Sequence, residues 1–211
     1  MVQNQEIIMI KALFSLGFVI AALSAPSFAF AHPGAGLAHE HGFGALSGLL
    51  HPFSGVDHLL AMVAVGMVAA LLGGRALWLV PASFLGMMAL GSALGMAGFD
   101  LPFVETGIGL SVAIFGLIVA GGLKMPVAAS IGLVGFFALF HGHAHGTEMP
   151  AAASVFAYGA AFLLATALLH GIGIGLAVLG NRLNATSAQT LQRAAGCAMS
   201  LAGIAFLTGA F

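Results

Sequence analysis

Of the chain's 211 residues, 61% are hydrophobic and only 5% charged, where an ordinary soluble domain carries roughly a quarter charged residues. So few charges cannot cover a water-facing surface, and the mean hydropathy of +1.13 points to an integral membrane protein. The formal charge of -1 leaves no basic patch for phosphates and excludes nucleic acid as a partner, and the lone Cys197 has no second thiol with which to form a disulfide framework.

The first 31 residues read as a secretory leader. Lys11 precedes an apolar core from Ala12 to Leu23, Pro26 breaks it, and Ala29 and Ala31 form an A-x-A cleavage site. The core of roughly 12 residues is too short to span a bilayer, which weighs against an uncleaved first helix. Glu6 partly offsets Lys11, and Met9 offers a second start. The expected division is a signal peptide over 1–31 and a transmembrane domain over 32–211. Cleavage after Ala31 leaves His32 first, so that its amine and imidazole form a chelating pair.

A short apolar piece, 42–50, comes next. His51-Pro52 and Gly55 separate it from the first long apolar run, so it reads as an interfacial or re-entrant half-helix. Six apolar stretches then run over 55–73, 76–97, 101–122, 125–142, 151–179 and 194–211, each reaching or approaching the roughly 20 residues a spanning helix needs. The expected fold is all-α, a bundle of six transmembrane helices. Thirty-one glycines, with "GSALG" at 91–95 and "GIGIG" at 171–175, allow close approach of helix backbones in lipid. Arg75, Lys124, and Arg182 with Arg193 fall in alternate connections, and basic residues gather in cytoplasmic loops. Both ends of the cleaved chain are therefore expected outside.

With this orientation the ionisable groups collect on the external face. His51, Asp57 and His58 stand at the outer end of the first span, and "HGHAHGTE" brings His141, His143, His145 and Glu148 to the outer end of the fourth. Glu105 lies near the outer start of the third and has no basic residue on its side of the membrane. Intramembrane ionisable groups are expensive and normally face a partner or a pathway, and a bound cation would compensate them. Imidazoles with a few carboxylates suit a first-row divalent metal, whereas calcium and magnesium prefer oxygen alone. Asp57 is either a ligand or the acceptor that fixes an imidazole tautomer. His141 and His145 share a face if the helix continues through them, and an unwound start at Pro52 and Gly55 lets His51 fold back toward Asp57. His170 lies toward the cytoplasmic side.

At these residues the sequence resembles the HupE/UreJ family of membrane proteins, found with nickel hydrogenase and urease systems. The likeness covers essentially the whole chain beyond the leader. It rests on "HPGAGLAHEHGF", on "HPFSGVDHLLAM", which matches H-P-x-x-G-x-D-H, and on "FHGHAHGTE", which matches F-H-G-x-A-H-G-x-E. The family is regarded as carrying nickel across the inner membrane without an ATPase subunit. The resemblance implies the same role here, with metal ligands among His51, Asp57, His58, His141, His145 and Glu148, and with Glu105 in the place of the family's third-span acid.

The function expected is that of an inner-membrane permease for a divalent metal, nickel first and cobalt or zinc as alternatives. The metal is cargo, and no prosthetic group is expected; the partners are the ion and the lipid bilayer, and a homo-oligomer is compatible with both. No G-x-x-x-x-G-K-[ST] motif is present. Two rivals stand beside this reading: an intramembrane zinc hydrolase, and a metal-binding sensor or accessory subunit.

Overall fold

The computed structural model describes residues 40–150 and 153–210. The chain divides into two units, Met1–Ala38 and His39–Phe211, and the described residues all fall in the second. The leader expected over 1–31 and its terminal His32 lie outside them.

Among the described residues the fold is all helical. Helix α1 (Glu40–Leu50) leads through a 3-10 turn (His51–Phe53) to α2 (Val56–Leu72), followed by α3 (Ala76–Met96), α4 (Val104–Gly121), α5 (Val127–Glu148), α6 (Val155–Leu183) and α7 (Ala185–Leu207). Helices α3 to α7 are each long and apolar enough to cross a membrane; segments 44–53 and 56–72, bent by 78° at their break, make a sixth span if taken together. The break is local chemistry. Pro52 lacks the amide hydrogen that an α-helix needs in its interior, and Gly55 is extended, at φ -107 and ψ 123, before α2 begins.

Two boundaries differ most from those hydropathy predicts. Helix α5 continues to Glu148 because residues 141–146 are packed inside the bundle, with His141, His143 and His145 buried, before Thr147 and Glu148 emerge exposed at its end. Helix α7 starts at Ala185, nine residues before its apolar stretch: Asn184 Oδ1 accepts from the Ser187 amide at 3.1 Å and caps a polar first turn. Arg182 and Arg193 therefore lie within α6 and α7 rather than in a loop.

Glycine decides which helices touch. On α3, Gly91 and Gly95 meet the backbone of Leu139 and His143; on α5, Gly142 and Gly146 meet the carbonyls of Met88 and Ser92. A Cβ at any of these four positions would collide with backbone, so α3 and α5 lie side by side and parallel. Helices α2 and α6 pair in the same way through Gly66 and Gly173, and α4 and α7 pair antiparallel through Gly116 and Gly196. Lipid tails give helices no hydrophobic reason to associate, so close backbone packing of this kind is the main cohesion available. Ser200 adds a hydroxyl bond to Ala113 O at 2.7 Å across the last pair.

Large apolar side chains such as Trp78, Leu117, Phe136 and Leu201 face outward, while the buried polar residues of the spans face inward. Arg75, Lys124 and Arg182 stand at one end of the bundle. The start of α2 and the end of α5 meet at the other.

Candidate metal site

The 3-10 turn fixes His51. Ser54 donates to His51 O through both its amide, at 3.0 Å, and its hydroxyl, at 2.6 Å. The turn holds the His51 ring beside the last turn of α5, with Nε2 3.2 Å from Glu148 Oε2 and the ring centroid 4.7 Å from that of His145. Nδ1 of His145 is 4.0 Å from the same carboxylate oxygen. One ligand atom from each of His51, His145 and Glu148 lies within 4.8 Å of the other two. Ligands on one first-row ion stand at most about 4.2 Å apart for bonds of about 2.1 Å. A contraction of less than an ångström closes the group.

One layer inward, Asp57 Oδ1 accepts from the His58 amide and from His58 Nδ1, each at 2.8 Å. The carboxylate thereby assigns the ring hydrogen to Nδ1 and leaves the Nε2 lone pair free. Gly55 makes room for this arrangement, since a Cβ there would stand 2.7 Å from Asp57 Oδ1 and 3.1 Å from His58 Nδ1. Its backbone angles are open to any residue, so Gly55→Ala tests space alone. The added methyl should displace the carboxylate and weaken divalent-metal binding by roughly the 10–100-fold that losing an orienting partner costs. Binding of Ni2+ by the purified, folded variant and its parent checks it.

His141 is fully buried, with Nε2 2.7 Å from Ser111 Oγ. The Ser111 hydroxyl has one hydrogen and directs it to Ile108 O at 2.7 Å, so it accepts from His141 Nε2–H and leaves Nδ1 with the lone pair. The His58 ring lies 4.9 Å from His141 and 4.2 Å from His145, centroid to centroid. Phe162 of α6 closes the far side of His145 at 4.2 Å.

Seven buried side-chain atoms have no hydrogen-bond partner among the described residues. Six are imidazole nitrogens, namely His58 Nε2, His141 Nδ1, and both nitrogens of His145 and His170; the seventh is the Tyr158 hydroxyl. Buried polar atoms in proteins are nearly always bonded, and here the buried Ser111, Thr166 and Ser200 all are.

Of the residues the sequence singles out, His51, His145 and Glu148 form one group, with His58 and His141 against it and Asp57 holding His58. His51 turns to Glu148 rather than back to Asp57. Glu105 is exposed in the first turn of α4 and has no hydrogen bond or ion pair among the described residues, so it is not brought to the group. His143 points the other way along α5 and bonds Phe99 O at 2.7 Å, tying the α3–α4 connection down. His170 lies midway along α6, outside this group.

An all-helical multi-pass membrane protein with a buried histidine cluster at one end is the class these features define. The chain matches the family described as HupE / UreJ protein over residues 20–206. It is 50% identical over 190 residues to Protein HupE of Rhizobium leguminosarum bv. viciae, covering 90% of this chain and 95% of that protein. No solved structure matches it. The chain belongs to the HupE/UreJ family.

Proposed function

We propose that the protein is a permease that carries a divalent transition metal, nickel before cobalt or zinc, across the bacterial inner membrane to supply nickel enzymes such as hydrogenase or urease. The observation that carries this reading is the convergence of unpaired nitrogens on His58, His141 and His145 beside the His51–Glu148 pair. Imidazole with carboxylate suits these metals, and family membership favours nickel among them. The donors outnumber what one ion needs and are arrayed inward from Glu148 to His141. That arrangement fits a succession of weak sites, from which an ion can leave, better than one closed hydrolytic centre.

Direction is a matter of charge. Arg75, Lys124 and Arg182 at the opposite end support a cytoplasmic assignment for that end, so the histidine cluster faces outside. An inside-negative potential then favours inward movement of a dication by about twice 2.3 kcal/mol per 100 mV, which drives import without nucleotide hydrolysis.

The test is flux. Liposomes holding the purified protein, an entrapped nickel-sensitive dye and an inside-negative potential should admit Ni2+ saturably and exclude Ca2+. Folded protein that binds nickel yet passes neither nickel, cobalt nor zinc would overturn the permease reading in favour of a sensing or accessory role.

A further inference from the structure

His170 belongs to none of the motifs and lies outside the outer cluster, yet it is 1% exposed and both of its ring nitrogens lack a partner among the described residues. It is the sixteenth of the 29 residues of α6, about halfway through the membrane. A packing role there is better served by leucine or phenylalanine, because a buried imidazole with no bond carries a desolvation penalty for no gain. Ionisable residues at this depth mark pathways.

Two lines of contact connect His170 to the outer cluster. The Phe84 ring stands against both imidazoles, its centroid 5.6 Å from His141 and 5.1 Å from His170, edge-on to the latter at 88°. Along α6, Tyr158, Phe162, Thr166 and His170 recur every four residues on one buried face. Phe162 touches His145, and eight residues at 1.5 Å each put His170 about 12 Å further along the helix axis. The backbone at His170 is held firmly, since Gly66 of α2 packs against its carbonyl.

We infer that His170 is an inner coordination station for the transported divalent metal, reached from His141 past the Phe84 ring. The inference rests on the permease reading. The station supplies a single imidazole, and water travelling with the ion completes the shell. No carboxylate is paired with it, unlike His51 and His58, so a dication is held weakly and released toward the Arg75, Lys124 and Arg182 end.

The experiment uses full-length protein in the liposome assay with Ni2+ as probe, in a Cys197→Ser background. His170→Leu keeps the bulk and removes the ligand; initial nickel flux should fall by at least about tenfold while equilibrium nickel binding at the outer cluster stays within about twofold of the parent. His170→Cys puts a soft thiol at the same place, which grips cadmium; cadmium should arrest its nickel flux at concentrations that leave the parent conducting. The thiol variant keeps the inference testable if the leucine variant does not insert. A leucine variant that inserts and conducts like the parent, or a thiol variant whose flux ignores cadmium, overturns the inner station. A parent protein with no flux overturns the permease reading instead, so the two failures are distinguishable.

Discussion

Glu148→Gln should lower nickel uptake by at least the roughly 10–100-fold that loss of an orienting partner costs at a metal site, with normal membrane insertion. Glu148 is the carboxylate of the three-ligand group with His51 and His145. Its side chain is 55% exposed, so it contributes little packing, and glutamine preserves its length and one acceptor oxygen. What the substitution deletes is the negative charge facing an arriving dication. Uptake into cells at equal membrane abundance is the measurement; Asp57→Asn and His58→Ala, one layer inward, should fall in the same assay by acting on the His58 lone pair. If all three variants transport like wild type, the outer group is not where the metal is captured.

Gly142→Val should damage stability and uptake together. A Cβ at Gly142 would overlap the carbonyl of Met88, and two backbones cannot yield as a side chain can. The helices must separate, at a cost beyond the roughly 1–3 kcal/mol of ordinary overpacking. Because Gly142 lies between His141 and His145, any shift of α5 also carries the imidazoles off their partners. Thermal unfolding in detergent and membrane abundance read the first effect, nickel uptake the second. Gly132→Val is the control on the same helix, where a Cβ meets nothing within 4 Å; it should leave both unchanged.

The parts of the molecule legible in the sequence are those that depend on local chemistry. Hydropathy marks the spans, Pro52 and Gly55 mark the broken start of α2, and four-residue spacing puts His141 and His145 on one face. Hydropathy fails where polar residues are helical for other reasons. Asn184 caps α7 through a hydrogen bond that no apolar count registers, and the polar stretch 141–146 of α5 is helical because it is buried in the bundle.

Partner choice between distant segments is the other blind spot. His51 lies closer in sequence to Asp57, but the 3-10 turn aims it across 97 residues to Glu148. Glu105 reads as a member of the site because it is an acid adjoining an apolar run, yet it stands exposed in the first turn of α4, away from the histidine group. His143 belongs to the same "HGHAH" as its neighbours, and only the packing of the α3–α4 connection separates its role from theirs. The phase of "HGHAHG" held a usable signal for that division: at helical spacing, Gly142 and Gly146 share one face while His141 and His145 share another.

The glycine contacts also say how such a bundle can move. Helices α3 and α5 are locked to each other, as are α2 and α6, by backbone against backbone, whereas contact between the two pairs is sparser and includes the ring contacts of His58 with His141 and His145 and of Phe84 with His170. The seam between the pairs runs through the histidines: His58 and His170 belong to one body, and Phe84, His141, His145 and Glu148 to the other. Shear between packed bodies needs only small side-chain rearrangements at their boundary. A slide along this seam would therefore alter the spacing of donors on opposite banks while leaving each helix pair intact, and an ion held across it would act as a removable rivet between two rigid plates.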